Sequence, residues 1–313
     1  MAHRWRKSLK PTELVYSSHD RCEYLHRDWI VQRALESHDN KTLFYLPFSS
    51  GNRGDQEYSW GTFSWYLDRF RGYGLQPRTF FWTEDLNKQD IDLFFDWLAT
   101  SEVVILGGGM TMLGLQRYAQ VGERGFGDPG RFVRILRERS ARGLLTVGFS
   151  AGADQLCEWS CDGNSSLHCF GNLQQLVVRL HYEPAADEHM TFLARTHPDC
   201  LVFGLPNDSG IAYNEGYTAR GLRWQVLLFI IDSSWDRPED HWHIKTRQGV
   251  RIEHRYPDGR DWKFNGGDIL VRVFDAQGGA EAWIGGPHYD RFVHHTTQQP
   301  SEHHDIVSIL NSR

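Results

Sequence analysis

The chain has 313 residues, enough for two domains of ordinary size or for one large α/β domain with an extension. Hydrophobic residues make up 40% of it and charged residues 24%, a balance that is typical of soluble globular proteins and excludes a disordered chain. The net charge of −6 argues against a broad nucleic-acid-binding surface, so we expect no nucleic-acid partner. Aromatic residues make up 13%, with 12 Trp among them, and composition alone does not say whether they fill a core or line a surface.

Membrane insertion and secretion are also disfavoured by the sequence. The longest strongly apolar run, at residues 226–231, is far shorter than the ~20 residues that a membrane-spanning helix needs. The basic N-terminus is not followed by the apolar segment that is typical of a secretory signal. Five cysteines form an odd set in a large chain, which favours reduced thiols over a disulfide framework. We therefore expect a cytoplasmic protein without membrane contact.

Strand and helix patterns alternate through residues 1–216. Short, mostly apolar runs predict strands at residues 13–16, 42–48, 78–82, 102–106, 144–148 and 176–180. Helical spacing of apolar residues predicts helices at residues 24–37, 60–70, 90–98, 131–142 and 153–159. Strands separated by helices of this length indicate a mostly parallel sheet with helices on both faces, that is, a three-layer α/β/α domain.

The pattern changes after Gly216, where helix signals become scarce. Strand patterns occur at residues 224–231, 242–245, 250–254 and 269–274, separated by turn signals such as Pro257-Asp258-Gly259. Residues 217–313 are therefore predicted to form a β-rich, antiparallel C-terminal extension. The tryptophans of this segment could supply the core that a small β unit needs, so we expect the extension to be folded.

The most specific motif is Gly148-Phe149-Ser150-Ala151-Gly152-Ala153, which follows a buried strand and precedes a helix-compatible run. A nucleophile elbow needs this context, because the turn from strand to helix is sharp and its flanking residues must be small. The Ser150 hydroxyl would then project above the carboxyl edge of the sheet, beside helix N-terminal N–H groups placed to stabilise an oxyanion. A tight turn with an incidental serine is the alternative interpretation.

Three consecutive glycines, Gly107 to Gly109, follow the strand at 102–106. Without Cβ atoms, their N–H groups can approach a ligand or an oxyanion closely. The continuation Met110-Thr111 lacks the spacing of a dinucleotide-binding loop and the lysine of a phosphate-binding loop. A plain strand-to-helix turn is the alternative, but the neighbouring Ser150 motif favours an oxyanion role.

A serine nucleophile needs a base and a group that orients the base. His181 ends the predicted strand at 176–180, and we expect that strand to reach the same sheet edge as Ser150; His168 is the competitor. Asp162 is the leading candidate for the third member. Glu158 and Asp208 are the alternatives.

The sequence predicts no metal site and no cofactor. Cys157, Cys161, His168 and Cys169 cluster in the sequence, but their spacing does not match the usual zinc ribbons or fingers.

These motifs, in this order and spacing over residues 12–216, resemble the serine peptidases of the dipeptidase E and cyanophycinase group, which share the class I glutamine-amidotransferase-like fold. The matching segments are TLFYLPF, EVVILGGGMTML, LLTVGFSAGADQLC, the strand that ends in LHY, and CLVFGLPNDSGIAYNEG. The resemblance implies Ser150 as nucleophile and His181 as general base. It places the oxyanion hole at Gly108, Gly109 and Ala151, and substrate-binding positions at Met110, Thr111 and Asp154.

The sequence also departs from the family pattern. Met110 and Asp154 each stand where the peptidase branch usually has Asn. The acid that the family carries after the elbow helix has no unambiguous match, Asp162 being the nearest. Residues 183–189 contain no Arg, which argues against strict specificity for a substrate aspartate, since the bidentate guanidinium is hard to replace.

The resemblance thus predicts a serine hydrolase, monomeric or homodimeric, that cleaves a small peptide or isopeptide amide through an acyl-enzyme on Ser150. The alternative is a non-catalytic relative that binds a small molecule or a protein partner in the same pocket.

Overall fold

A computed structural model describes residues 10–18, 23–162, 165–183, 187–207, 209–231 and 250–313, with backbone only at 23, 162 and 187. Its strands are β1 Glu13–Tyr16, β2 Thr42–Leu46, β3 Gln76–Thr79, β4 Val103–Leu106, β5 Leu145–Phe149, β6 Cys157–Asp162, β7 Ser165–His168, β8 Leu173–Leu180, β9 Leu201–Leu205, β10 Ser209–Tyr217, β11 Arg223–Ile231, β12 Ile252–Arg255, β13 Asp261–Phe264, β14 Ile269–Phe274, β15 Ala280–Gly285 and β16 Val293–His294. The strand predicted at 242–245 lies outside the described residues.

The helices lie mostly between the strands of the first two-thirds of the chain. They are α1 Glu23–Leu25, α2 Gln32–Glu36, α3 Arg53–Leu67, α4 Lys88–Thr100, α5 Thr111–Phe126, α6 Arg131–Ala141, α7 Ala151–Leu156, α8 Asp187–Thr196 and α9 Ile306–Asn311. A π-helical segment, His26–Val31, joins α1 to α2, and a 3-10 segment, Asp68–Tyr73, follows α3. Within the described part of the chain, no helix has the length and apolar character required to cross a membrane.

The main sheet has ten strands in the order β16-β15-β14-β11-β10-β1-β5-β4-β2-β3. The half from β1 to β3 is parallel throughout, and every pairing from β1 to β16 is antiparallel. The predicted α/β fold, with a parallel sheet and a β-rich C-terminal region, is confirmed. The two halves meet at β1, which pairs with β5 on one side and with β10 on the other.

A second sheet of six strands, in the order β13-β12-β9-β8-β6-β7, packs against the first. The sequence did not predict this sheet, and it changes two expectations. The helix predicted at 153–159 ends at Leu156, because the chain from Cys157 pairs as a strand with β8 and β7. The strand before His181 is β8, which therefore lies in the second sheet and not beside β5.

The parallel half of the main sheet is buried on both faces. On one face Tyr45 and Phe149 pack with Phe63 of α3, and on the other Phe48 packs with Phe94 of α4 and with α5. Continuous burial on both faces explains why β2, β4 and β5 are mostly apolar rather than alternating in polarity. The helix-spaced aromatics therefore serve largely as core, and the three-layer arrangement is present.

The C-terminal extension adds strands to both sheets. β11, β14, β15 and β16 continue the main sheet, while β12 and β13 continue the second. Fully buried Trp283 packs with Ile306 and Ile309 of α9, so a tryptophan contributes to this core as the composition suggested. Strand β10 crosses the predicted boundary at residue 216, and the division into parts 1–216 and 217–313 stays a prediction.

Helix α7 approaches the parallel strands closely because it begins with small residues. A Cβ atom on Gly152 would lie 2.1 Å from the carbonyl oxygen of Leu106, and one on Gly148 would lie 2.2 Å from that of Gly152. Neither contact can be relieved without moving backbone. These two glycines let the turn between β5 and α7 sit against the end of β4.

We expect Gly152→Ala to lower the free energy of unfolding by about 1–3 kcal/mol, because the added methyl group collides with main chain. Urea denaturation measures the change. Gly61→Ala is the matched control, since Gly61 lies in α3 with no atom within 4 Å of an added Cβ, and there we expect a gain of about 1 kcal/mol. An unchanged stability in Gly152→Ala would contradict the packing described.

Candidate functional site

Ser150 occupies the turn between β5 and α7 in a backbone conformation that side-chain-bearing residues rarely adopt, with φ 48° and ψ −124°. Its N–H donates to the carbonyl oxygen of Tyr16 at 3.2 Å, which ties the turn to the end of β1. Ala151 follows as the first residue of α7, so its N–H has no acceptor within the helix. The serine thus stands at a helix N-terminus, above the carboxyl ends of the parallel strands.

His181 follows β8 and reaches the same place from the second sheet. Its backbone also has a positive φ, 50°, and its N–H donates to Ser17 Oγ at 2.7 Å. The ring Nε2 lies 3.3 Å from Ser150 Oγ. The structure therefore brings these two predicted residues together across the two sheets, on a solvent-exposed surface.

Asn207 makes the contact on the other side of the imidazole. Its Oδ1 lies 2.6 Å from His181 Nδ1. Because an amide oxygen only accepts, Nδ1 carries the proton in this arrangement and Nε2 is left as the acceptor for the serine hydroxyl. The sequence reading missed Asn207. No local sequence signal marks it, because only the parallel pairing of β8 with β9 brings the residues after these two strands to one edge.

The acids predicted to orient His181 lie elsewhere or outside the described residues. Asp162 ends β6, where its backbone pairs with Ser165 in a hairpin, and the contact to Nδ1 comes from Asn207 instead. Glu158 accepts the backbone N–H of Gln175 at 2.6 Å. Asp208 is outside the described residues, as are residues 184–186 of the loop that lacks Arg.

The glycines after β4 lie beside Ser150. A Cβ atom on Gly108 would come within 3.2 Å of the Ser150 Cβ, and Gly109 has a φ of 133° that favours glycine. The N–H of Met110 donates to Ser49 O at 2.8 Å and fixes the loop. Across the described ranges, the N–H groups of Gly108 and Gly109 donate to no protein acceptor. They remain available to a bound oxyanion, together with the N–H of Ala151.

Of the three residues predicted to bind substrate, Met110 is exposed, and Thr111 and Asp154 are hydrogen-bonded to each other. The Met110 side chain is 56% exposed beside the glycine loop. Thr111 Oγ1 donates to Asp154 Oδ2 at 3.1 Å, which joins the first turns of α5 and α7. Burial raises the pKa of the Asp154 carboxyl to about 7, opposed by hydrogen bonds from Thr111 and Ser160. The hydrogen bond between Thr111 and Asp154 thus ties α7 to α5.

No family model and no curated protein matches the chain. Among solved structures, the fold is similar to that of a peptidase from an acI-B1 actinobacterium, with a TM-score of 0.54 and 12% sequence identity. The match covers 82% of this chain and 95% of that one. At this identity the similarity shows the fold alone.

We expect Asp154→Asn to stabilise the protein at pH 8, by an amount on the order of 1–3 kcal/mol, because the buried carboxylate is replaced by a neutral group. The gain should shrink as the pH falls from about 7 towards the ordinary carboxyl pKa of 3.8 and vanish below it. There the carboxyl is protonated in both the folded and the unfolded chain. Urea titrations across this range measure it, and a gain that is independent of pH would contradict the raised pKa.

Proposed function

We propose that the protein is a serine hydrolase similar to the dipeptidase E and cyanophycinase group, which cleaves a small peptide or isopeptide amide through an acyl-enzyme on Ser150. The observation that carries the proposal is the hydrogen-bonded series from Ser150 Oγ to His181 Nε2 at 3.3 Å and from His181 Nδ1 to Asn207 Oδ1 at 2.6 Å. Nucleophile, base and orienting group follow one another in the order that serine hydrolysis requires.

In the first half of the reaction, Ser150 Oγ attacks the amide carbonyl carbon while His181 Nε2 removes the hydroxyl proton. The N–H groups of Gly108, Gly109 and Ala151 stabilise the negative charge that develops on the carbonyl oxygen. The imidazolium then gives its proton to the amine nitrogen as the C–N bond breaks, which leaves an ester on Ser150. Water, activated by the same Nε2, hydrolyses this ester and restores the hydroxyl.

The substrate class rests on the motif resemblance and on the fold, which is similar to that of a protein named a peptidase. The site is open, with His181 exposed and Met110 projecting into solvent beside the glycine loop. An open surface site suits a chain end or a side-chain isopeptide bond. We propose Met110, Thr111 and Asp154 as the positions that border the bound substrate.

Asn207 gives this site a different electrostatic balance from that of a triad with an acid. Its amide fixes the tautomer and the ring orientation, but it carries no charge to offset the imidazolium that forms in the transition state. This neutral group is also the observation that favours the alternative function, a non-catalytic protein that binds a small molecule or protein partner at the same place.

An active-site-directed fluorophosphonate should label the wild-type protein at Ser150, because the His181 base and the free N–H groups activate this hydroxyl. Ser150→Ala should abolish the labelling and His181→Ala should slow it by about 10²-fold or more. Mass spectrometry of the labelled peptide identifies the site. Ser312→Ala, an exposed serine at the end of α9, is the control and should label like the wild type.

A library of dipeptides and isopeptides, with and without a free amino terminus, then identifies the substrate. Hydrolysis of one of them by the wild type and not by Ser150→Ala supports the proposal. A folded protein that neither reacts with the probe nor hydrolyses any member of the library belongs to the non-catalytic alternative.

Replacement of Asn207 distinguishes two possible roles of this residue, the orientation of the His181 ring and the compensation of the imidazolium charge. Asn207→Leu should lower kcat by roughly 10²-fold with little change in KM, because the imidazole loses its orienting acceptor. Asn207→Asp should restore kcat to the wild-type value or above it, since a carboxylate accepts the same hydrogen bond and offsets the imidazolium charge. Equal losses in both variants would show that Asn207 is only structural.

A further inference from the structure

A cavity with several charged side chains in its wall lies at the opposite end of β1 from Ser150. Its volume is about 360 Å³, which is within the size range of small-molecule sites, and it has no part in the chemistry proposed above. Its wall includes six polar or charged side chains, those of Glu13, Arg137, Ser140, Asn172, Glu215 and Arg223. They come from β1, α6, the segment before β8, β10 and β11, so both sheets contribute to one wall.

Asn172 is the feature of this cavity that the fold leaves unexplained. Its side chain is only 5% exposed, and within the described residues neither its amide nitrogen nor its amide oxygen has a hydrogen-bond partner. A buried amide with both polar ends unpaired is unfavourable by roughly 1–3 kcal/mol for each group. Because Asn172 lines the cavity, a small movement of its side chain would let the covered amide pair with a ligand that offers both an acceptor and a donor.

Glu13 presents an acid whose charge nothing in the cavity wall neutralises. Its carboxylate, 2% exposed, accepts hydrogen bonds from Thr12 and Ser140. Burial, together with the neighbouring Glu215, raises its pKa to about 7 against the opposing effect of the Ser140 and Thr12 hydrogen bonds and of Arg139. The charge of Glu215 is itself offset by Arg223, whose Nη2 lies 3.0 Å from Glu215 Oε2. A ligand cation beside Glu13 would therefore stabilise the ionised carboxylate.

Arg137 offers the opposite charge at the same cavity. Its guanidinium donates to the carbonyl oxygen of Phe170 at 3.2 Å, and in the described part of the chain no carboxylate lies within ion-pair distance of it. The remaining N–H groups suit a carboxylate, which guanidinium binds through two parallel hydrogen bonds. The cavity thus combines one uncompensated acid, one uncompensated base and an amide that can serve either end of a ligand.

From this arrangement we infer that the cavity is a binding site for a small zwitterion, a free amino acid or a dipeptide, whose carboxylate binds Arg137 and whose ammonium binds Glu13. Asn172 bonds the polar groups between them. A ligand with one charge only would leave either Glu13 or Arg137 uncompensated. This site is separate from the Ser150 site and does not depend on the protein being a hydrolase.

Thermal-shift screening of the full-length protein against the free amino acids and glycylglycine finds the ligand, and calorimetry gives its Kd. We expect Glu13→Gln and Arg137→Met each to weaken binding tenfold or more, and Ser150→Ala to leave it unchanged. Arg134→Met is the matched control, because Arg134 lies one turn earlier in α6 and pairs with Asp128. Methylamine and acetate, each with one of the two charges, should bind at least tenfold more weakly.

Binding should also release protons at pH 6, where the buried Glu13 carboxyl is largely protonated until the ammonium arrives, and release few at pH 8.5. Calorimetry in buffers of different ionisation enthalpy measures this. Arg137 is exposed, so its variant tests the inference even where Glu13→Gln does not fold. The inference is overturned if no amino acid or glycylglycine binds, if binding survives both cavity variants, or if methylamine or acetate binds as tightly.

Discussion

Hydrogen bonds at the carboxyl end of β1 hold together groups that come from different parts of the chain. The carbonyl oxygen of Tyr16 accepts the N–H of Ser150, and Ser17 Oγ accepts the N–H of His181. The N–H of Ser17 donates to Ser209 O, which fixes the start of β10 just after Asn207. The distances between Ser150, His181 and Asn207 therefore depend on where this short central strand ends.

The backbone is strained at both residues of the Ser150–His181 contact. Ser150 and His181 each adopt a positive φ without being glycine, a conformation that persists only where the surrounding structure enforces it. The Ser150 N–H is held by the carbonyl oxygen of Tyr16, and the His181 N–H is held by Ser17 Oγ. Holding both residues before a ligand arrives would reduce the reorganisation needed for the hydrolysis proposed above.

The parallel half of the fold could be predicted because its signals are local. A strand buried on both faces is mostly apolar, so β2, β4 and β5 can be recognised in the sequence, and the elbow motif marks the end of β5. The second sheet could not be predicted in this way. Whether residues 157–162 extend a helix or pair as a strand is decided by their pairing with β7 and β8, and that pairing leaves no mark within residues 157–162 themselves.

The same reasoning applies to the site. Ser150 and the glycine loop sit at sharp turns with a sequence signature, and His181 ends a recognisable strand. Asn207, the partner of His181, belongs to no sequence motif, because it is one polar residue in an ordinary turn. Only the adjacency of β8 and β9 brings Asn207 to the ring, and an expectation that favoured an acid led to Asp162.

The residues after Gly216 protect the edges of both sheets. Without them, β10 would present an unpaired row of backbone groups at one sheet and β9 would do so at the other, and such rows are templates for aggregation. The extension covers β10 with β11 and β9 with β12. The main sheet then ends at β16, a strand of two residues, and at β3, which contains Pro77. Both are poor templates for a further strand, so the extension replaces the long β10 edge of the main sheet with a short one, and it moves the edge of the second sheet from β9 to β13.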